Sequence, residues 1–516
     1  MTAATLSARD MSAELSREVS QRIDKASHKT SDDGKREIKA DIVIIGAGSA
    51  GLSTAYVAAN LGLTTVLFEG AKMGGDCLNY GCVPSKALLA AGKAAYDARN
   101  TEKYGVSVGT EPVTDWEKVK AHIAGVIGSI APVDSVERYQ SFGTIVVSEY
   151  ARFEDDKTVV SDSVRVTGRR IIVATGSTAF IPPIPGLDSV PYLTNHSIFE
   201  APEFPKELIV LGGGPIGIEM AQAFQRLGSK VTVIEMGRAL ARADADQAAV
   251  ALEELRKEGI KILEGYKAVE VTGEAGNVSV RTETQDGGGE TVTGTDILVA
   301  VGRRTFLDGL DVEKANVKTE RGSVVTKPNM RSVSNPRVWA LGDAAGQAQF
   351  THWANHHAGI FTRAAFFKTP GNDAEATPLP AVTYMQPEIA QLGMTEAEAR
   401  AEYGDKVTVG KFPFHENDRA IAERKTVGEV KIIWLNNRKK TILGASILGE
   451  GAGDLLQMVS VAMANGLGAG GLIKHVSPYP TRAEAVKRAV SSSDAFAGAL
   501  FSERTKGLVG LLQKIP

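Results

Sequence analysis

Two Gly-rich turns lie 166 residues apart, each between an apolar strand-like run and a helix-like one, and the texture of the chain changes past residue 370. These observations predict an α/β protein: two Rossmann-like dinucleotide-binding domains followed by a C-terminal α+β domain. At about 150 residues per domain, 516 residues hold three such units.

Residues 1–37 are polar and charge-mixed, with only weak helical periodicity over Met11–Ile23, and read as a flexible N-terminal tail. Ile42–Leu63 carries no charge over about the length of a membrane span, but Gly46, Gly48 and Gly51 divide it into a strand, a turn and a small-residue helix. From residue 40 to about 370, short Val/Ile-rich runs alternate with helical segments, the pattern of a parallel sheet covered on both faces. After a Pro/Gly-containing loop at 369–380, strands are expected at Glu429–Leu435 and Thr441–Leu448, and helices at Gly453–Asn465 and Thr481–Val490. Arg438-Lys439-Lys440, after two asparagines, reads as a solvated hairpin turn, and Asn417-Asp418-Arg419-Ala420 as a turn entering the C-terminal domain.

Composition narrows the function classes. Fifty-eight Lys plus Arg against 61 Asp plus Glu, with no basic block, leave no electrostatic footprint for nucleic acid or anionic lipid. With 43% hydrophobic and 23% charged residues the chain is an ordinary globular one. No basic start followed by an apolar run marks a secretory signal, and no membrane span is expected, so the expected location is cytoplasmic.

The repeat carries the first functional signal. Gly46, Gly48 and Gly51 form one G-x-G-x-x-G, and Gly212, Gly214 and Gly217 form the other. The echo continues in Leu61-Gly62 against Leu227-Gly228 and in Glu69 against Glu235. In such a turn the first glycine makes the bend, the second lets backbone approach a pyrophosphate at a helix N-terminus, and the third lets helix and strand pack. Each acid, 18 residues past its third glycine, is placed to accept hydrogen bonds from a ribose diol. Two structural turns would need neither the acids nor their matched spacing. Two dinucleotides imply an electron relay, usually a held flavin and an exchangeable nicotinamide.

The only cysteines, Cys77 and Cys82, follow the first turn five positions apart, with Pro84 suited to the first turn of a helix and Cys82 just before it. They could be two buried thiols, a structural disulfide or a redox couple. So short a loop would stabilise the chain by only about 2 kcal/mol, and a reducing cytosol disfavours a permanent bridge. A redox dithiol accounts for their place beside a nucleotide turn.

Gly74-Gly75-Asp76-Cys77-Leu78-Asn79-Tyr80-Gly81-Cys82-Val83-Pro84-Ser85-Lys86 resembles the signature of the flavoprotein pyridine nucleotide-disulfide oxidoreductases. The resemblance extends through Ala174-Thr175-Gly176-Ser177, Val301-Gly302-Arg303-Arg304, Ala340-Leu341-Gly342-Asp343-Ala344 and Tyr384-Met385-Gln386-Pro387-Glu388. It implies an FAD-binding domain over 38–180 and 302–375, an NAD(P)-binding domain over 181–301, a dimerisation domain over 376–490 and a C-terminal extension over 491–516. It further implies FAD on Gly46, Gly48, Gly51, Glu69, Thr175, Gly176 and Asp343, and nicotinamide dinucleotide on Gly212, Gly214, Gly217, Glu235 and Gly302. Cys82 matches the thiol that faces the flavin and Cys77 the thiol that meets substrate. Lys86 and Glu219 match the ion pair beside the flavin, where a fixed positive charge favours the anion formed on hydride transfer. The implied assembly is a homodimer acting on a small-molecule electron acceptor, with no resident metal.

The sequence departs from dithiol-reactive relatives at Val476-Ser477-Pro478-Tyr479-Pro480-Thr481-Arg482-Ala483-Glu484. Those relatives carry His-x-His-Pro-Thr followed by Glu, the second His being the acid/base donated across the dimer interface; here Tyr479 holds the place of that histidine and Glu484 that of the glutamate, and both are candidate catalytic residues. A phenol titrates near 10, against about 6.5 for imidazole, so general-base help is mostly forfeited at neutral pH. His475 is out of register with the motif. Tyr479 is similar to mercuric reductases, although no cysteine pair stands near the end of this chain. The expected activity is mercuric reductase-like: NAD(P)H oxidation through FAD and the Cys77/Cys82 couple to a disulfide, a quinone or a thiol-bound metal ion. Dihydrolipoyl dehydrogenase activity is the alternative, and a flavin-bound redox sensor is the alternative of another class. Glu235 should repel a 2′-phosphate and favour NADH over NADPH, with Arg238 and Arg242 nearby able to offset it. The i, i+4 pair His352 and His356, with His357 alongside, reads as part of a packed or solvated helix below the flavin rather than as a metal site.

Overall fold

The computed structural model describes residues 29–369, 373–374, 376–498 and 500–513. Most of the expected tail, residues 1–28 with the periodic stretch Met11–Ile23, lies outside the described residues. The remainder of it is not tail-like: Lys29–Thr30 pairs antiparallel with Arg36 and Glu37 at the start of the strand Arg36–Ile45.

That strand is the axis of the first sheet. It lies parallel to Thr65–Phe68 on one side and Val164–Val173 on the other, with Ile145–Val147 outside the former. Ile42, Val43 and Ile44 are wholly buried, because helices and loops cover both faces of the sheet. The chain leaves this sheet after Val173 and returns to it at Val338–Ala340, which pairs parallel with Ile171–Val173.

Between these two passages lies a second parallel sheet, in the order Lys261–Glu264, Lys230–Glu235, Glu207–Leu211, Asp296–Val299. A three-stranded antiparallel sheet, Tyr266–Glu274, Asn277–Thr284 and Thr291–Gly294, shares a core with it. The sequence repeat is a structural one. Ile45 pairs with Phe68 in the first copy as Leu211 pairs with Ile234 in the second.

The C-terminal domain is a five-stranded antiparallel sheet, ordered Pro380–Thr383, Glu388–Gly393, Ile442–Gly449, Glu429–Leu435, Val407–Pro413. Helices Ala452–Ala464 and Glu484–Ser491 close its core around Trp434 and Phe414. The run Arg438–Lys440 connects the antiparallel strands Glu429–Leu435 and Ile442–Gly449, as a hairpin turn should. Asn417 does not enter this domain but lies within it. Its side chain caps the short helix Asp418–Ala422 and donates to Thr481 O, tying that helix to the loop that bears Tyr479. No helix among the described residues is long and apolar enough to cross a membrane.

Candidate active site

Each Gly-rich turn is shaped by contacts that exclude a side chain. Gly46 has φ +106°, and a Cβ there would stand 2.4 Å from Ala174 O; Gly212 has φ +107°, and its Cβ would stand 2.5 Å from Ala300 O. The third glycines are as constrained, Gly51 against Gly46 O and Gly217 against Gly212 O. The second glycines are different. A Cβ on Gly48 or Gly214 would meet nothing within 4 Å, so each faces open space at the start of its helix, Ser49–Asn60 or Pro215–Leu227. That is the room a pyrophosphate requires.

The acids repeat the match at hydrogen-bond level. Glu69 accepts from Ala47 N and Ala71 N, each at 2.7 Å, and Glu235 accepts from Gly213 N and Gly237 N at the same distances. Burial pushes the Glu69 carboxyl up in pKa, against the pull of its two backbone donors.

A cavity of about 500 Å³ joins the first turn to the cysteines. Gly46, Gly48, Glu69, Thr175, Gly176 and Asp343 line it together with Cys77, Cys82, Lys86 and Glu219. The segment carrying the thiols fits because Gly75 has no side chain: a Cβ there would lie 2.8 Å from Gly48 Cα. Gly51 packs beneath the turn, and Gly212, Gly214, Gly217, Glu235 and Gly302 lie outside the cavity, in or beside the second nucleotide sheet.

Cys77 sits on the short helix Gly75–Asn79, and Cys82 is the first residue of Cys82–Arg99. The expected helix start is therefore corrected: Cys82 belongs to the helix and Pro84 is its third residue, where the missing proline N–H costs nothing. Both cysteines are free thiols. The hydrogen bond from Cys77 lowers the Cys82 thiol to a pKa of about 6, helped by Thr351 and the Lys86 charge and opposed by burial. The same hydrogen bond, together with burial, pushes the Cys77 thiol up. The helix N-terminus adds positive potential at Cys82.

Lys86 Nζ lies 2.7 Å from Glu219 Oε2, and Glu219 Oε1 accepts from Tyr384 N at 2.9 Å. The Tyr384 ring lies under the ammonium, 4.5 Å to its centroid. Helix Pro215–Leu227 thus brings the second nucleotide domain to the thiol helix, with Glu219 only 5% exposed.

A polar chain that sequence reasoning missed runs along the cavity wall. Ser177 Oγ donates to Asp343 Oδ2 at 2.5 Å, and Arg303 donates to Ser177 Oγ at 2.8 Å while meeting Asp76 Oδ2 at 3.1 Å. Asp76 Oδ1 accepts from Asn195 Nδ2 at 3.1 Å and lies 3.2 Å from His196 Nε2. Asp76, Ser177 and Arg303 all stand inside motifs quoted above, but their meeting is a product of tertiary structure.

Two expected site residues lie elsewhere. Tyr479 is 69% exposed on the C-terminal domain, and its hydroxyl donates to Asp418 Oδ2 at 2.6 Å. Glu484 does not pair with it: its Oε1 accepts from Arg488, one helical turn on, at 2.9 Å. His352 bonds Pro380 O, His356 stacks on Trp353, and buried His357 accepts from Gly342 N. Among the described residues no group of three His, Cys, Asp or Glu could hold a metal.

The pyridine nucleotide-disulphide oxidoreductase family model matches residues 40–358, and its dimerisation-domain model matches 379–490. The chain is similar to a mercuric reductase of Streptomyces lividans, 34% identical over 88% of this chain and 96% of the relative. It is equally similar to a dihydrolipoyl dehydrogenase of Chlorobaculum tepidum, 34% identical over 87% and 96%. Among solved structures it resembles the HOCl-induced flavoprotein disulfide reductase RclA from Escherichia coli, with TM-score 0.77 and 27% identity over 87% of this chain and 99% of that one. The family is FAD- and NAD(P)-dependent. The first turn fits FAD on its own features: Gly48 opens on the cavity, and Thr175 Oγ1 is buried there without a partner. Matched along most of its length by the family models, with both nucleotide turns and the paired thiols in place, this chain belongs to the pyridine nucleotide-disulphide oxidoreductases.

Proposed function

We propose that the protein is a mercuric reductase-like NAD(P)H oxidoreductase that delivers two electrons from the Cys77/Cys82 couple to an external acceptor: a disulfide, a quinone or a thiol-bound metal ion. The observation that carries this reading is the unequal thiol pair in one cavity with the first Gly-rich turn and the Lys86–Glu219 ion pair. FAD, when bound, would supply the hydride acceptor between NAD(P)H and the Cys77–Cys82 disulfide, whose two-electron reduction breaks the S–S bond and leaves a Cys82 thiolate and, with one proton, a Cys77 thiol.

In this reading Gly46, Gly48, Gly51, Glu69, Thr175, Gly176 and Asp343 hold FAD, and Gly212, Gly214, Gly217, Glu235 and Gly302 hold the nicotinamide dinucleotide. Cys82 carries the thiolate at the flavin side and Cys77 attacks the acceptor. Lys86, held by Glu219, supplies fixed positive charge where electron density accumulates. Glu235 presents carboxylate oxygens at the end of its strand, which supports NADH over NADPH. The matched dimerisation domain, bearing exposed Tyr479, supports a homodimer in which that phenol faces the partner's cavity. A closely spaced Cys77/Cys82 pair read as a redox couple rather than a permanent bridge fits a reducing, cytoplasmic setting.

Dihydrolipoyl dehydrogenase activity is the second reading, supported by the relatives of that name. Tyr479 weighs against it, because the Asp418 hydrogen bond raises the phenol pKa further. A steady-state screen with NADH and NADPH against lipoamide, glutathione disulfide, quinones and Hg(II), repeated with Cys82→Ser, tests the proposal. Acceptor reduction that needs Cys82 is the expected result; turnover indifferent to Cys82 would overturn it.

A further inference from the structure

We infer that Tyr384 is a positioning residue for Lys86: through its ring and the turn that carries it, the C-terminal domain fixes the place of the positive charge in the thiol cavity. The inference rests on the proposed reading of Lys86 as the charge beside the flavin and deepens it.

Tyr384 lies in the turn between the first two strands of the C-terminal sheet, Pro380–Thr383 and Glu388–Gly393. That turn is fastened to helix Pro215–Leu227 of the second nucleotide domain at three successive points. Tyr384 N donates to Glu219 Oε1 at 2.9 Å. Gln386 N donates to Gln222 Oε1 at 2.7 Å, and Gln386 O accepts from Gln222 Nε2 at 2.6 Å. Gln386 Oε1 accepts from Arg226, whose guanidinium also donates to Glu258. Residues 219, 222 and 226 share one face of the helix by their spacing, and all three are buried. Between the polar anchors, Met385 is wholly buried in the same apolar core as Ile218 and Ala221. The backbone that carries the Tyr384 ring is therefore fixed.

The ring itself is not core packing: Tyr384 is 42% exposed, and the Lys86 ammonium stands over its ring, 4.5 Å from the centroid. A lysine ends in a point charge on a flexible four-carbon stem, and a single carboxylate partner leaves that charge free to swing about the carboxylate. Lys86 Nζ has three partners instead: Glu219 Oε2 at 2.7 Å, Ser85 Oγ at 3.3 Å and the Tyr384 ring. A π face attracts a cation without neutralising it, so the ammonium loses freedom and keeps its charge. Tyr384 sets both members of the ion pair, the carboxylate by its backbone N–H and the ammonium by its ring. Three domains meet at this point, Lys86 from the first nucleotide domain, Glu219 from the second and Tyr384 from the C-terminal one.

The test reads the flavin couple alone, by anaerobic equilibrium with a redox dye, in FAD-loaded full-length protein carrying Cys77→Ser and Cys82→Ser as the parent. Variants are compared at equal flavin absorbance per protein. Losing a fixed positive charge disfavours the electron-rich flavin, so Lys86→Met is expected to raise the oxidised-to-reduced flavin ratio at a given dye ratio at least threefold. Tyr384→Leu and Tyr384→Met keep the backbone N–H and remove the ring, and each is expected to raise the ratio at least threefold. Tyr384→Phe keeps the ring and should stay within twofold of the parent. On the Lys86→Met background, Tyr384→Leu should change the ratio by less than twofold. A rise below threefold in both ring-less variants, while Lys86→Met shifts the ratio, would overturn the role of Tyr384. An equal shift from Tyr384→Leu with and without Lys86 would overturn it too, since the ring would then act through another group. A rise below threefold in Lys86→Met would overturn the reading of Lys86 itself, and the inference with it.

Discussion

The Tyr479 hydroxyl donates a 2.6 Å hydrogen bond to Asp418 Oδ2, while Glu484, five residues on, accepts from Arg488. The carboxylate beside Tyr479 raises its pKa, so the phenol remains protonated across the physiological range. A thiol substrate therefore gains no strong base from this residue.

Tyr479→His should accordingly raise the rate of dihydrolipoamide oxidation by about 10²-fold, since a positioned imidazole contributes roughly 10²- to 10⁴-fold as a general base. NAD+ reduction by dihydrolipoamide at pH 7 and 8 measures it. If the natural protein already matches the variant, the argument from the phenol fails.

The thiol pair makes a pH prediction. Cys82 is lowered to a pKa of about 6, so its thiolate persists above that pH and is protonated below it. In the two-electron-reduced enzyme, a long-wavelength thiolate–flavin band should therefore rise with pH through a midpoint near 6. Cys77 is the largest source of the lowering, so in Cys77→Ala, which forms no disulfide and is therefore read with its flavin oxidised, the midpoint should move upward. A midpoint unmoved in Cys77→Ala would show that the helix N-terminus and Lys86 suffice alone.

Local grammar made the nucleotide sites legible. Gly46 and Gly212 need positive φ and an empty Cβ position, and both needs are written as glycine at fixed distances from Glu69 and Glu235. The Cys77–Lys86 segment is equally local, one turn and one helix start. What could not be read were partnerships between distant segments. Asp418 and Tyr479 are 61 residues apart, and Asn195 reaches back 119 residues to Asp76. Polar residues of this kind show no periodicity, and their partners follow from how the sheets dock. The ion pair of Glu484 with Arg488, by contrast, is local, four residues along one helix.

The docking itself can be tested through Lys431. This side chain is fully buried on the interior C-terminal strand Glu429–Leu435, yet it contacts Asp244 Oδ1 at 2.8 Å and Glu396 Oε2 at 3.2 Å. Asp244 belongs to the second nucleotide domain and is itself buried, and Gln247 beside it bonds Ser446. Lys431→Met should destabilise the fold by about 3–5 kcal/mol, because a buried carboxylate loses its cation. Adding Asp244→Asn should recover much of the loss, as seen in the thermal midpoint of the FAD-loaded protein. Equal midpoints for the single and double variants would rule out an uncompensated charge as the cause.

The second glycines offer the sharpest test of which turn serves which dinucleotide. Neither Gly48 nor Gly214 has positive φ, and a methyl at either position meets no protein atom, so alanine there is compatible with folding. Gly46→Ala, by contrast, drives Cβ into Ala174 O and strains the backbone. Gly48→Ala and Gly214→Ala therefore place a methyl only where a pyrophosphate would approach its helix N-terminus. Gly48→Ala should yield folded protein depleted of FAD, with a dissociation constant raised at least tenfold by fluorescence titration. Gly214→Ala should retain FAD and raise the KM for NADH at least tenfold with little change in kcat, the mark of binding shared by ground and transition states. If Gly214→Ala lost the flavin while Gly48→Ala kept it, the two sites would have to be exchanged.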